Sequence, residues 1–343
     1  MVASFTRPLL AAALIALPAA AQTPAFAAGE VNVYTYRETK LIKPLFDAFT
    51  KDTGINVNVI SASSGLEQRI KAEGANSPAD VLLTVDIGRL EDAVKAGITQ
   101  PIASPALDKV VPAQYRDPEG HWYGISMRAR VFYVSKERVK DEALTYDELA
   151  DPKWKGKICV RSGQHIYNNA LIAAYIAHYG EAKTEEWLRG VKANLAQKPS
   201  GGDREQARDV AAGKCDIGIG NTYYWALMHD KDPSKKEWAD ATRVVLPTFK
   251  DNGGTHVNLS GVVLVKTAPN KANGQKLIEW LAGETAQHIY ADTNYEYPMH
   301  PQVAVNPTIK GYGTLKADPT PMAKIADFKK AAANLVDKVG FDN

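Results

Sequence analysis

Cysteine is almost missing from this chain: 343 residues carry two, Cys159 and Cys215. Neither sits in a C-x-x-C pair, which removes the common structural zinc sites and the dithiol redox motif. The seven histidines are scattered, and no H-E-x-x-H or H-x-x-x-H brings two onto one helix face. No G-x-S-x-G elbow and no G-x-x-x-x-G-K-[ST] phosphate loop occurs, so neither acyl-transfer nor nucleotide chemistry has a candidate. An excess of one charge is also lacking. The chain has 41 basic and 39 acidic residues and no basic stripe, which argues against nucleic acid as the main partner. Beyond the first two dozen residues no apolar run approaches the ~20 needed to span a bilayer.

What is present begins with a leader. Arg7 precedes an apolar run from Leu9 to Ala21, and Ala25 and Ala27 supply an A-x-A cleavage pattern. This is the order of a secretory signal peptide, residues 1–27, with the mature chain starting at Ala28. No cysteine follows the cut, so a lipid anchor is not expected, and an exported, soluble protein is. Export to an oxidising compartment makes a Cys159–Cys215 disulfide reasonable. The two lie in short apolar runs, KICVRS and KCDIGIG, that can be neighbours in one sheet. Two buried free thiols are the alternative.

With 45% hydrophobic and 23% charged residues, the remainder suffices for two domains with real cores. Strands and helices alternate. Strands are expected at 31–36, 56–61 and 79–85, with helices at 41–52, 65–73 and 86–96 between and after them. The unbroken Val81-Leu82-Leu83 suits a strand covered on both faces. A long strand at 124–134 follows. A second α/β rhythm then runs through strands at 157–160 and 216–220, helices at 166–179, 184–193, 204–212 and 223–229, and an extended piece at 243–247. A strand at 260–265 and helices at 270–282 and 284–293 close the pattern. The order implies a mostly parallel sheet with helices on both sides, in two α/β lobes with the chain crossing between them.

Several phrases in this order resemble a known family. VYTYRETKLIKPLFDAFTKDTGINVNVI, SPADVLLTVDIGRL and APNKANGQKLIEWLAGETAQHIYAD are similar to type II periplasmic solute-binding proteins of ABC importers. VYTYR, PADVLLTVD, RARVFYVSK, GKICVRSGQHIYN, GNTYYW and YEYP resemble the ferric-iron-binding members, bacterial counterparts of transferrin. The resemblance runs from about residue 31 to the C-terminus. It implies a two-lobe periplasmic-binding-protein fold, each lobe a mixed sheet flanked by helices, with the ligand cleft at the hinge. Residues 28–127 with about 253–302 would form the N-terminal lobe, and about 128–252 with 303–343 the C-terminal lobe. The implied cargo is Fe(3+), delivered by a periplasmic monomer to an inner-membrane ABC permease and its ATPase.

Ferric ion is small and highly charged, so anionic oxygen suits it better than neutral nitrogen or sulfur. A phenolate qualifies once the metal has displaced a proton whose ordinary pKa is ~10. In GNTYYWALMHD, Asn221 and Thr222 have the chemistry of helix caps, and Tyr223 and Tyr224 follow in the first turn. There the helix dipole favours an anion, and a strand-to-helix transition lets adjacent side chains converge. Tyr167 stands similarly, after KICVRSG and at the start of IYNNALIAAYI. All three fall beyond the carboxyl ends of strands, where α/β sheets collect ligands. From the residues alone, aromatics that simply pack at helix starts are the better account. The resemblance assigns Tyr167, Tyr223 and Tyr224 as iron ligands.

The first strand departs from part of the family, since no histidine follows it. Tyr36-Arg37-Glu38-Thr39 is instead similar to a subgroup in which three tyrosines dominate and an anion completes the coordination. Tyr36 and Glu38 are further possible ligands, with cleft lining and an ordinary surface acid as the alternatives. Carbonate or bicarbonate would fill the remaining positions, held by the guanidinium forks of Arg37 and Arg128. Arg128 and Arg130 share one side of their strand, and a structural ion pair is the competing role for either. His165 is expected to cap or pack beside its helix, and His229 to lie at the surface. A cargo such as a polyamine, thiamine or a sugar phosphate is the alternative within this fold. Trp122 and Trp225 would then be stacking candidates. A secreted enzyme has no nucleophile–base pair to support it.

Overall fold

The computed structural model describes residues 1–2 and 29–343; the expected leader and its cleavage point fall outside the described residues. Ten strands form one continuous, curled mixed sheet. They are β1 (Glu30–Thr35), β2 (Asn56–Ser61), β3 (Val81–Thr84), β4 (Thr99–Gln100) and β5 (Tyr123–Ser135). The remainder are β6 (Ile158–Cys159), β7 (Ile217–Asn221), β8 (Thr242–Val245), β9 (Val257–Val265) and β10 (Tyr297–Pro298). The path runs β2-β1-β3-β9-β5-β7-β6. Pairings β1–β2, β1–β3 and β6–β7 are parallel, but β9 and β5 join antiparallel to their neighbours. The sheet is therefore mixed, as the resemblance implies: the first three strands pair in parallel as their alternation with helices suggests, and the antiparallel members are β9 and β5. Crossover helices force parallel pairing only where they connect consecutive strands, and β9 returns from the far half without one.

Strand β5 is the spine of the molecule. Its first part, Tyr123 to Ala129, pairs with β9, while Arg130 to Ser135 pairs with β7 and β8. The partners change between Ala129 and Arg130. On one side Val33, Leu82, Leu83, Ile125, Val263 and Leu277 are fully buried. On the other, Phe132, Val134, Ile158 and Ile217 are fully buried with Leu188 and Val336. Residue β-branching explains the strands: β9 is VNLSGVVLV, buried throughout, and neither flanking layer leaves room for alternation.

The helices match their sequence signals with small shifts. Thr39–Thr53 ends at Gly54 in the left-handed conformation, as a C-terminal glycine permits. The expected helices at 166–179 and 184–193 form one segment, Ile166–Ala193, broken at Gly180 where φ is 80°. Short helices Met322–Asp327 and Lys329–Lys338 pack the C-terminus onto Ile166–Ala193 and were not anticipated. Their turn signals are weak, and only tertiary contact makes such short pieces stable.

Cys159 and Cys215 are disulfide-bonded and buried. Cys159 closes β6 and Cys215 precedes β7, the strand beside it, so the bridge ties two sheet neighbours across 56 residues of chain. Near it, Arg130 is held by a polar cluster. Its Nη1 donates to Asp203 Oδ2 at 2.5 Å and to Asn221 Oδ1 at 3.0 Å, and its Nη2 donates to Asn168 Oδ1 at 2.6 Å. Asp203 also accepts from Arg161 Nη1 at 3.1 Å and from the Asn221 amide at 2.9 Å. Burial works against its charge, but Arg130 and Arg161 outweigh that and hold the Asp203 carboxyl below its usual range.

Reducing the Cys159–Cys215 bridge should lower stability by about 2–4 kcal/mol, from the loop it closes; thermal melts with and without reductant would read this. Asp203→Ala should cost about 3–5 kcal/mol in denaturant unfolding, since it strands buried guanidinium groups. Because the folded-state pKa of Asp203 is depressed, its contribution is present above the unfolded value near ~4 and disappears as pH falls below it. The variant should therefore lose its deficit relative to the parent in acid.

Candidate metal cleft

Strand β7 ends at Asn221, and the helix Thr222–Asp230 begins at once. Gly220 allows this turn to sit close against β5: a Cβ there would lie 2.2 Å from the Tyr133 ring. Asn221 has the extended backbone of an N-cap, but its side chain caps nothing. It serves Arg130 instead, and Thr222 is already helical, which corrects the capping role expected for both. The helix therefore starts without a side-chain cap directly before the tyrosine pair.

Tyr223 and Tyr224 do converge. Their rings lie 4.1 Å apart between centroids, and the hydroxyl of Tyr223 is 3.5 Å from that of Tyr167. Tyr167 comes from the first turn of Ile166–Ala193, where His165 caps the helix by accepting from the Tyr167 amide at 3.3 Å. His165 thus takes the capping role read from the sequence. Tyr167, Tyr223 and Tyr224, together with Tyr36, Arg37 and Glu38, line one small cavity of about 30 Å3. That is room for an ion with a ligand or two the size of water.

Tyr223 and Tyr224 are buried, and burial pushes both phenols well above their ordinary pKa. The neighbouring phenol of Tyr167 raises both further; Arg37 opposes this for Tyr223, as does the hydrogen bond from Tyr223 for Tyr224. Without a cation the two are neutral at any physiological pH. A multivalent cation placed among the three oxygens would exchange its charge for their protons.

Two arginines border the tyrosines. Arg37 lies 5.6 Å from the Tyr223 ring centroid and Arg128 5.6 Å from that of Tyr167. Arg37 is buried, and its Nη1 pairs with Glu296 Oε1 at 2.5 Å and donates to Ser260 Oγ at 3.3 Å. Burial alone would weaken its charge, but Glu296 more than compensates and pushes its pKa up. Among the described residues its Nε and Nη2 have no protein acceptor, and neither do Nη1 and Nη2 of Arg128. Buried donors are normally satisfied. Four unsatisfied ones on two guanidinium groups beside the phenols fit a planar oxyanion. Arg130, by contrast, is spent on Asp203, so it is the structural ion pair and Arg128 is not.

The remaining candidates are less central. Tyr36 turns its hydroxyl to the helix Leu66–Glu73: it donates to Glu67 in a short hydrogen bond and accepts from the Leu66 amide at 2.6 Å. Burial, then Glu67, raises its pKa. Arg89 covers its ring at 3.6 Å. Glu38 is exposed and pairs with Lys40 at 3.3 Å. Trp122 and Trp225 are buried, with their indole N–H groups donating to Glu91 and Thr242; neither offers a free face for stacking an organic solute. His229 stacks on Trp225 at the helix surface.

Sequence reasoning missed Glu296, the buried partner of Arg37, though it lies inside YEYP. It missed Arg204, whose guanidinium covers the outer face of Tyr224 at 4.3 Å. It also missed Asn258 and His256, which line a second small cavity with Arg128, Arg130, Tyr167 and Asn221. Burial, then nearby arginines, lowers the pKa of His256 to about 3, so it is neutral and adds no competing charge. Asn258 and His256 stand in no motif; the return of β9 beside β5 brings them in.

Several known proteins are similar to this chain. Iron uptake protein A1 of Synechocystis is 42% identical over 91% of this chain and 87% of its own length. The major ferric iron-binding protein of Neisseria gonorrhoeae is 31% identical over 96% of this chain and 97% of its own. Among solved structures, the Bordetella ferric binding protein superposes with a TM-score of 0.85 at 56% identity, over 92% of this chain and all of that one. The family model described as bacterial extracellular solute-binding protein matches residues 76–317. On these grounds the chain belongs to the bacterial extracellular solute-binding proteins, with the type II fold of its ferric-binding neighbours.

Proposed function

We propose that this protein captures ferric iron as cargo in the tyrosine cleft and delivers it to an inner-membrane ABC permease and its ATPase. The observation that carries the reading is the meeting of Tyr167, Tyr223 and Tyr224 in the lining of one small cavity. Three clustered phenols, with the carboxylate of Glu38 at the border of the same cavity, suit a hard trivalent ion and suit few organic solutes. The names of the relatives, iron uptake and ferric iron-binding proteins, support the same cargo.

In this reading the phenolates of Tyr167, Tyr223 and Tyr224 neutralise the ion's charge. Carbonate or bicarbonate, held by the unspent donors of Arg37 and Arg128, completes the coordination. Glu296 fixes Arg37 so that its remaining donors face the cleft. Tyr36 and Glu38 border the site; Tyr36 would have to leave Glu67 to become a ligand. The working compartment is the periplasm, reached after loss of residues 1–27, and the protein acts as a monomer.

Residues 28–127 with 253–302, and 128–252 with 303–343, would move as the two lobes. The change of β5 partners between Ala129 and Arg130 supports a crossing near the first boundary. Near the second, Gly254 lies against Lys316–Ala317, where a Cβ would come within 2.3 Å of a backbone oxygen. Two adjacent crossings of this kind make a hinge, and cargo would stabilise the closed state.

Iron-free protein titrated with ferric iron and bicarbonate should develop a saturable visible phenolate-to-iron colour at one iron per chain. Tyr223→Phe, Tyr224→Phe and Tyr167→Phe should each shift the colour and weaken binding by at least tenfold, at about 1.4 kcal/mol per factor of ten. Colour indifferent to all three changes would remove the reading. Arg128→Gln should leave the fold intact and make binding insensitive to bicarbonate.

Acid should release the metal. Each phenol is protonated in the free protein and ionised in the loaded one, so affinity falls by up to about tenfold per proton for each unit of pH decrease. A pH titration of bound colour would show a drop steeper than one proton.

A further inference from the structure

His178 lies in the helix Ile166–Ala193, just before the break at Gly180. Both of its ring nitrogens are taken. Nδ1 lies 2.7 Å from Asp251 Oδ2, and Nε2 lies 2.9 Å from Asp318 Oδ2. A neutral imidazole carries one N–H, so its other nitrogen would turn a lone pair toward a carboxylate. Both contacts are hydrogen bonds only when the ring is protonated. Burial works against that charge, but the hydrogen bonds to Asp318 and Asp251 outweigh it and raise the pKa of His178. Burial also works against the Asp318 carboxylate, yet His178, then Thr320, hold its pKa down at about 2.

The three residues meet where the chain passes from β8 to β9. Asn252 reverses the chain with φ of 65°, and Gly253 and Gly254 lead on toward β9. Asp318 Oδ2 accepts from the Gly254 amide at 3.1 Å as well as from His178. Asp251 Oδ1 accepts from the Gly253 amide at 3.3 Å. The ring packs directly on the first glycine: a Cβ on Gly253 would lie 3.0 Å from His178 Cε1 and 2.8 Å from Asp318 Oδ2. Phe249 stacks on the ring, with centroids 4.1 Å apart. The imidazolium thus holds two glycine amides, through two carboxylates, at the entry to the strand that crosses between the halves.

Other charged or titratable neighbours do not compete for it. Tyr179 lies beside the ring, with centroids 5.7 Å apart, but its hydroxyl is turned to Asp147 at 3.4 Å. Lys316 spends its Nζ on the Asn252 carbonyl at 3.1 Å. Lys250 is exposed, and His256 is neutral and adds no charge. Among the described residues the ring nitrogens meet only Asp251, Asp318 and the Thr320 hydroxyl, which lies 3.2 Å from Nε2. Loss of the proton leaves one N–H for two carboxylates. The Asp318 side chain is 2% exposed and that of Asp251 39%. Water can replace His178 at Asp251 but not at Asp318, so the remaining proton stays on Nε2 and the Asp251 arm lets go.

We propose that His178, Asp251 and Asp318 form a proton-operated clamp on the Gly253–Gly254 pivot, engaged in mild acid and released on its Asp251 side as pH rises. The inference rests on the two lobes moving about this crossing, as in the proposed function. Because the folded-state pKa of His178 is raised, the clamp is fully engaged below the unfolded value near ~6.5 and is lost as pH rises through the folded value. Lobe motion is therefore stiffer in mild acid than in mild alkali. This dependence belongs to the iron-free chain and is separate from the protons exchanged for iron at the tyrosines.

In iron-free parent protein, NMR of the His178 ring should give a titration midpoint above ~6.5, and a lower midpoint in Asp251→Asn. Spin labels on Lys51→Cys and Lys183→Cys, both exposed and one on each lobe, then read the motion. The native cysteines are disulfide-bonded and stay unlabelled. The spread of label distances in the parent should be at least about 1.5-fold wider at about pH 8.5 than at about pH 6. In His178→Gln, which has no proton to lose, the spread should be equally wide at both; Asp251→Asn gives the same readout should that variant not fold. A midpoint at or below ~6.5 overturns the clamp. A pH-independent spread in the parent, or the parent's pH dependence retained in His178→Gln, also overturns it. Small-angle scattering of the parent with and without iron keeps the two readings apart. A change on loading with pH-independent label distances overturns the clamp alone, and no change on loading removes the lobe reading and the clamp with it.

Discussion

A buried phenol keeps its proton unless a positive charge replaces it, and this constraint organises the cleft. Tyr223 and Tyr224 are held in a water-poor space with a third phenol beside them. Burial raises both pKa values, and mutual repulsion would raise them further if any one ionised. In the proposed function the arrangement would therefore have two states: neutral and empty, or ionised and loaded. Only a cation of high charge and strong preference for oxygen offsets removal of several protons together. Arg37 opposes the rise for Tyr223 but does not cancel it, and in the proposed function the unspent donors of Arg37 and Arg128 serve an anion instead.

The scaffold serves that constraint by bringing distant segments to one place. The β7-to-helix turn presents Tyr223 and Tyr224, with Gly220 letting the turn press against β5. The β6-to-helix connection presents Tyr167, and the Cys159–Cys215 bridge holds β6 beside β7. From the other half, β1 delivers Arg37 and β5 delivers Arg128. The Arg130–Asp203–Arg161 cluster fixes the strand where its partners change, and the Arg37–Glu296 pair anchors the opposite wall. Both pairs are buried. Their role is to specify geometry, since buried ion pairs contribute little net stability.

Much of this was legible in the sequence, for identifiable reasons. Strand 56–61 and the starts of the helices around Tyr167 and Tyr223 agree with their expected bounds within a residue or two. The tyrosines stand at strand-to-helix transitions, which local pattern reveals. The pairing of β9 with β3 and β5 was not legible, because a buried strand reads the same in parallel and antiparallel contexts. Asn221 looked like a cap, yet tertiary demand from Arg130 took its side chain. Glu296 and Arg204 were hidden for the same reason: their roles come from contacts with residues 259 and 20 positions away, and no spacing rule encodes these.

The central claim is that one ferric ion sits among three phenolates at the junction of β6, β7 and their helices. An anomalous difference map at the iron edge, from crystals of the loaded protein, tests it most directly. The account predicts a single strong peak about 2 Å from the hydroxyl oxygens of Tyr167, Tyr223 and Tyr224, within the range of oxygen ligands to small cations. A peak held by surface carboxylates, or none within reach of these three oxygens in protein that has bound iron in solution, would contradict it.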